Sequence, residues 1–369
     1  MVLMATFASV METAGYILLA LLALMFMIVI HEGGHYLAGK LLGFKILEFS
    51  VGFGPAIYKR TSKKSDEIFA IRTIPLGGYC QFEDEDDNSK SPTAFNNQPA
   101  WKRLIVLFSG AFFNLISAWI IITFVFTFSG QITLSVASTY SDSANVELLQ
   151  AGDAILKVDG KQINILEASD ATGIFAEDND TAVVQVLRDG EKVTLTLTKS
   201  EYQLGAYDDD GVWVYEYNDD GSIATYYGYG FASTVVTTQL SFFTALGRSF
   251  SYMFFLVYKI IAILGMLITG QLGMESAGGP ITTITAIADA SRGGSAMLAY
   301  VVCLVSANLA VMNLLPLPAL DGSRMVFCLI EMIFKKPVPK KVEGIIHTVG
   351  FLAIFAFAIL ADIFQLFLL

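Results

Sequence analysis

The sequence predicts a polytopic α-helical membrane protein with four transmembrane helices, a membrane-associated β-hairpin on one face and one small β-rich domain on the other. Three observations carry that expectation. The 369 residues are 54% hydrophobic and only 15% charged, where soluble domains carry about 25% charged residues. Segments 14–30, 104–126, 296–315 and 345–360 contain no Asp, Glu, Lys or Arg, and each approaches the roughly 20 residues a helix needs to cross a hydrocarbon core of about 30 Å. Charge is also sorted along the chain. Residues 40–103 hold ten Lys and Arg and 321–341 hold five, whereas 129–290 hold 20 acids and seven bases. Loops rich in Lys and Arg stay cytoplasmic, so the middle region and both chain ends fall outside. Four spans satisfy this alternation. Segment 251–270 is a possible fifth, interrupted by Lys259; a fifth span would break the alternation, so it is expected to lie on the membrane or against the bundle.

The first apolar run lacks a basic leader and a small-residue cleavage site, so it reads as a span and not as a signal peptide. It ends near Lys40. Residues 48–59 and 68–82 then carry strand-like apolar and aromatic residues around a polar turn at 60–67, which predicts the hairpin. Pro75, Gly77 and Gly78 interrupt its second half with a bend or bulge. The acidic run 83–87 reads as a solvated turn. Trp101, Lys102 and Arg103 mark an interface before the second span, whose lone amide, Asn114, needs a partner inside the bundle. These elements form a first region, 1–130. Residues 131–200 alternate in short stretches around the turn at Asp189-Gly190 and make the β-rich domain. Residues 201–290 form a connecting region: strand and loop to 230, then apolar helix on or near the membrane surface, broken at Gly278-Gly279-Pro280. Residues 291–369 contain the last two spans. Cys80, Cys303 and Cys328 are the only cysteines and form neither a disulfide framework nor a metal-ligand spacing.

The chemistry sits in His31-Glu32-Gly33-Gly34-His35. On a helix, positions i and i+4 share a face, so both imidazoles can reach one ion. Zinc in catalytic sites takes three protein ligands and leaves a position for water. Glu32, one residue along, is placed to accept a proton from that water without occupying the metal. A short motif of this kind also occurs by chance, but here it closes a charge-free helix. A charged residue in mid-bilayer costs about 2.5–3.5 kcal/mol on insertion scales, so it needs a compensating role. The third ligand is left between His347, the remaining histidine, and Asp321, the stronger candidate. Pro316 and Pro318 must unwind the third span before Asp321, and irregular backbone at membrane depth is tolerated only under protein or around a cavity. With 1.5 Å of rise per residue, His31 lies about 25 Å below residue 14, and Asp321 follows some 20 apolar residues to a similar depth. The alternative for Asp321 is a helix-capping carboxylate.

These residues resemble the site-2 protease family, peptidase family M50, and within it the bacterial branch. Four pieces match in order: His31 to His35; Phe53-Gly54-Pro55 followed by Ile74-Pro75-Leu76-Gly77-Gly78-Tyr79; Ala151-Gly152-Asp153 through Val158-Asp159-Gly160; and Asn308 through Asn313-Leu-Leu-Pro-Leu-Pro-Ala-Leu-Asp321-Gly322. The resemblance implies Zn2+ held by His31, His35 and Asp321 with Glu32 as catalytic base. It implies a single PDZ-like domain on the extracytoplasmic side at 131–200, and a membrane-associated β element at 68–82 near the substrate path. Asn308 and Asn313 match asparagines that contact substrate; on sequence alone they serve equally as interhelical hydrogen-bonding groups. Ser323 stands where the family often has glycine, and 201–230 has no counterpart.

The expected function is that of an intramembrane zinc metalloprotease in the bacterial cytoplasmic membrane. It would cut single-span membrane proteins in or near their transmembrane segment, in regulated intramembrane proteolysis of anti-sigma factors or signal-peptide remnants. Its partners are then those substrates and membrane lipid, with no nucleic acid; the oligomeric state is open. The alternative is a membrane metal transporter or scaffold without proteolysis, which explains the histidines but explains Glu32 less well.

Overall fold

A glycine ends the first and longest helix. In the structure, a computed structural model that describes residues 2–83, 91–166, 168–171, 174–175, 179–207, 213–273 and 277–368, α1 runs Val2–Leu42. Gly43 then takes φ +80°. Its N–H donates to Lys40 O at 3.3 Å and that of Phe44 to Gly39 O at 2.9 Å, which satisfies carbonyls the helix leaves open.

The hairpin follows as β1 (Ile46–Thr61) and β2 (Ile68–Phe82). It is folded on itself. Residues 56–61 of β1 pair with 68–72 of β2, and residues 48–51 pair twice, with 78–81 and with 68–71. Residues 48–51 of β1 therefore have β2 on both sides. Gly52, Gly54 and Gly77, at φ +85°, +83° and +112°, provide the bends, in backbone that other residues rarely adopt. An ion pair between Lys40 and Glu67, with the Tyr36 hydroxyl donating to Glu67 at 3.3 Å, pins the hairpin turn to α1. Beyond Glu83 the acidic run 83–87 lies outside the described residues.

α2 (Ala100–Phe128) leads into ten further strands among the described residues. These are β3 (Gln131–Thr139), β4 (Ala154–Val158), β5 (Lys161–Gln162), β6 (Thr181–Arg188), β7 (Glu191–Thr198), β8 (Ser200–Gln203), β9 (Gly205–Tyr207), β10 (Trp213–Tyr215), β11 (Thr225–Gly228) and β12 (Phe231–Thr238). The main sheet runs β12-β3-β4-β6-β7 with β5 on β4, and β8 pairs with β11 and β9 with β10. Its core is Leu134, Val136, Ile155, Val184, Val186 and Leu197, all nearly inaccessible. Asp153, in the Ala151-Gly152-Asp153 turn, is buried and paired bidentately with Arg188 at 2.7 and 2.6 Å. Arg188 is held above its ordinary value, first by that hydrogen bond and then by the Asp153 charge, against the opposing effect of burial. Residues 231–238, expected as the start of a helix, are instead strand β12. The run Thr234-Val-Val-Thr-Thr238 is β-branched throughout and fits a pleated surface better than a helical one.

The remaining elements are α3 (Phe242–Ile268), α4 (Pro280–Arg292), α5 (Ser295–Leu314), α6 (Asp321–Phe334) and α7 (Lys340–Leu368). α6 corrects the expectation of a loop at 321–341: its 14 residues present one strongly apolar stripe, which a loop would leave unburied. Five of the described helices are long and apolar enough to cross a membrane. The one added to the expected four is α3. Two compact units result: Met1–Ile122 with Met253–Leu369, and Thr123–Tyr252.

Candidate metal centre

α1 presents His31 and His35 one turn apart, both about 7% exposed, with their Nε2 atoms 3.2 Å apart. The third group arrives from α6. Helix α5 stops at Leu314 because Pro316 and Pro318 cannot extend it. The chain turns through Ala319, at φ +75°, and restarts with Asp321 as the first residue of α6. Asp321 Oδ2 lies 3.1 Å from His31 Nε2 and 3.2 Å from His35 Nε2. Asp321 makes no capping hydrogen bond: the cap position is Leu320. Among the described residues these three form the group whose ligand atoms converge, all within 4.8 Å. Ligands bonded tetrahedrally to zinc at about 2.0–2.1 Å stand about 3.3–3.4 Å from one another, so the trio fits that ion.

The far sides of the imidazoles agree. His35 Nδ1 lies 2.8 Å from Val106 O, to which it donates when Nε2 is the ligand atom. His31 Nδ1 lies 3.2 Å from the Asn114 amide nitrogen, while Asn114 Oδ1 is buried without a partner. A ligating histidine carries its proton on the outer nitrogen. Half a turn of the amide about its last bond gives that proton an acceptor and Oδ1 its partner. The backbone of Asn114 is fixed by Ser117 and Ser306, whose hydroxyls donate to its carbonyl at 2.8 and 3.0 Å. Two glycines let α2 approach. A Cβ on Gly110 would stand 2.5 Å from His35 Nε2 and 2.7 Å from His31 Cε1, and one on Gly34 would stand 2.5 Å from Ser109 O.

His347, the other candidate ligand, is not in the trio. Its Nδ1 accepts from Ala319 N–H at 3.0 Å, so it steadies the turn before Asp321. Gly350 packs against Pro318 in the same turn, and Gly322 leaves room for the carbonyls of Leu314 and Leu315. Ser323, the departure from the family pattern, is buried and donates to Leu320 O at 2.8 Å.

Glu32 is half-buried and lines a cavity of about 570 Å³ with His31, His35 and Asp321. Tyr79, Cys80 and Gln81 of β2 form another wall, and the Cys80 backbone N–H hydrogen-bonds to the Glu32 carboxylate. Tyr79 is braced by donating to Glu48 Oε1 at 2.9 Å, where Arg72 also donates at 2.5 Å. Burial pushes the Glu48 carboxyl up, but hydrogen bonds from Arg72 and Tyr79 and the Arg72 charge outweigh it and hold it below its ordinary value. Asn313 lines the cavity, its amide donating to Leu309 O at 3.0 Å. Asn308 is exposed on α5 and does not line it. Gly78 lies beside α1, where a Cβ would meet Glu32 Cγ at 3.6 Å; Gly77 packs under the Phe53 ring, and Pro75 is exposed. Sequence reasoning missed Gly34, Gly110 and Arg324 as cavity or packing residues. The signal available was a pair of glycines in spans, where small residues mark close helix contact.

Comparison with known proteins gives the family. The family model described as peptidase family M50 matches residues 19–357. A Fusobacterium nucleatum protein that carries the name "putative zinc metalloprotease" is 30% identical over 366 residues, covering 95% of this chain and 99% of its own. Similarly named proteins of Clostridium perfringens, 29% identical over 94% of this chain and 97% of its own, and of a Nostoc species, 30% identical over 90% and 91%, are further relatives.

Proposed function

The chain belongs to peptidase family M50, a multi-pass membrane zinc metallopeptidase, and we propose that it hydrolyses a peptide bond in or near the transmembrane segment of single-span membrane proteins. The observation that carries this reading is the meeting of His31, His35 and Asp321, from residues 290 apart in sequence, in one cavity with Glu32.

The three ligand side chains would hold zinc, which supplies a Lewis acid that polarises the scissile carbonyl and acidifies water. Glu32 takes the proton of the attacking water and returns it to the leaving nitrogen. His35 and His31 keep their ligand nitrogens aimed at the metal through Val106 and Asn114. A transmembrane helix hides its amides in its own hydrogen bonds, so the substrate must unwind first. Its extended segment then lies along residues 78–82 of β2 as an added strand, with Gly78 keeping that wall close to Glu32 and Pro75 and Gly77 shaping the bend. Asn313 contacts the segment in the cavity. Asn308, which does not line the cavity, contacts substrate outside it from the exposed face of α5.

In this reading α1, α2, α5 and α7 span a bacterial cytoplasmic membrane, and α3 lies on it or against the bundle. The basic loops 40–103 and 321–341 face the cytoplasm. Residues 131–200 are the heart of a PDZ-like extracytoplasmic domain that restricts access to substrates already trimmed outside, such as anti-sigma factors or signal-peptide remnants.

The test is cleavage of a single-span substrate by the purified full chain. Glu32→Gln is expected to keep its zinc and lose at least about 100-fold in rate, the usual weight of a general base. Unimpaired cleavage by that variant would exclude the mechanism; a metal scaffold or transporter would show no cleavage by wild type.

A further inference from the structure

Arg248, on α3, is buried against the β-rich domain. Its Nε donates to Gln131 Oε1 of β3 at 2.6 Å, Nη1 to Leu156 O of β4 at 3.0 Å and Nη2 to Ile163 O, just past β5, at 2.8 Å. The Gln162 side-chain amide donates back to Arg248 O at 3.0 Å. A buried cation is costly unless its donors are filled, and hydrogen bonds from a charged group are stronger than neutral ones. The three acceptors therefore hold this side chain, and it holds them.

Neighbouring contacts tie the same elements together. The hydroxyls of Thr123, on α2, and Ser249, on α3, share a hydrogen bond at 2.6 Å. Phe126 meets the Tyr252 ring edge-on at 5.2 Å, and the Tyr252 hydroxyl donates to Ile165 O at 3.3 Å. The links are short: residues 129–130 join α2 to β3, and 239–241 join β12 to α3. Both are bonded. The N–H groups of Ser129 and Gly130 donate to Val125 O at 2.8 and 2.9 Å, and that of Leu240 to Phe126 O at 3.2 Å. All these residues fall in one compact unit, Thr123–Tyr252.

A domain on free linkers moves relative to its neighbours by default, and a domain that can swing aside excludes nothing. We propose that Arg248 is the positioning residue that keeps the β-rich domain immobile on the end of α2 and the start of α3, and so sets the selectivity against single-span substrates that still carry a folded outer domain. The inference rests on the protease reading above. Arg248 touches no reacting atom.

The test uses the full chain in detergent and two single-span substrates. One has a short outer stump; the other has a folded globular domain fused there. Wild type should cut the first and spare the second. Arg248→Met keeps the side chain long and removes all three donors. Each hydrogen bond to a charged group shifts an equilibrium by about tenfold or more, and the domain-aside state is populated in proportion. Cleavage of the fused substrate should therefore rise at least about tenfold, with cleavage of the stump substrate unchanged. Arg248→Lys should restore part of the selectivity. Gln131→Leu, which leaves Arg248 and removes one acceptor, should act in the same direction as Arg248→Met and is the variant to read if that one fails to fold. Spin labels on Val183→Cys and Phe243→Cys, at exposed positions in a chain whose native cysteines are buried, follow the motion: one narrow distance in wild type, a broadened one in Arg248→Met and Gln131→Leu. A fused substrate still spared by both variants, or a distance that stays narrow in both, would overturn the proposal. So would equal loss of cleavage of both substrates, the mark of a purely structural role, or a wild type that cuts both alike. Cleavage of the stump with unchanged selectivity sinks this proposal alone; no cleavage of the stump by wild type sinks the protease reading with it.

Discussion

Asn114 is fully buried in α2 with its amide against His31 Nδ1, and its task in this account is to fix the ring, not to bind the metal. Replacing it by Leu keeps the volume and removes the acceptor. Zinc affinity, measured by competition with a chelator, should fall about 10–100-fold, as for other outer-shell partners, with the helices intact. Gly110 makes a stricter demand, since any Cβ there meets both imidazoles at 2.5–2.7 Å. Gly110→Val should therefore abolish zinc retention on purification, whereas the same change at Gly15, where nothing lies within 4 Å, should not. At this scale the sequence was informative where spacing alone defines geometry. His31, Glu32 and His35 are fixed relative to one another by helical period, and Asp321 is marked by the prolines before it. Asn114 was legible only as an amide in need of a partner. Gly110 was legible only as a small residue in a span, a mark of close helix contact that does not say which neighbour it makes room for.

Among the elements, the folded hairpin depends on a buried charge cluster. Glu48 is held below its ordinary value of 4.5 by Arg72 and Tyr79 against the effect of burial. A carboxylate with a lowered value stabilises the folded form above its ordinary value, and the contribution fades as pH falls through the lowered one. Protection of the hairpin amides in hydrogen exchange should thus be constant near neutrality and decline below about pH 4.5, and Glu48→Gln should show the reduced protection already at pH 7. α4 depends on a carboxylate from another helix. Asp362 of α7 accepts from the backbone N–H groups of Gly279, Ile281 and Thr282 at 3.0–3.1 Å. Asp362→Ala leaves those donors without that acceptor, the Gly279 one buried, and should lower stability by about 1–3 kcal/mol, seen as a lower midpoint of thermal unfolding in detergent. Neither device was read from the sequence. The hairpin was recognised by alternation, but its double pairing depends on three positive-φ glycines whose partners are distant in the chain. The fourth charge-free run ends at residue 360, two short of Asp362, and the basic residues of 321–341 mask the apolar stripe of α6.

For the molecule as a whole, composition was the most legible feature, since lipid as solvent dictates long apolar helices whatever their packing. The faces those helices turn outward are apolar, with Leu18, Phe26, Leu352 and Phe355 each more than half exposed, a surface that water would not tolerate in such quantity. Spacing within such helices cannot reveal which of them meet, so the joining of α1, α2 and α6 at one point had to come from the structure. That joining is the central claim, and zinc stoichiometry per chain tests it most directly. Wild type and Glu32→Gln, purified without chelator, should each carry about one zinc, and Asp321→Ala should lose most of it, because zinc in catalytic sites needs three protein ligands. If Asp321→Ala binds zinc as fully and as tightly as wild type, the carboxylate of α6 is not a ligand and the account of the site is wrong.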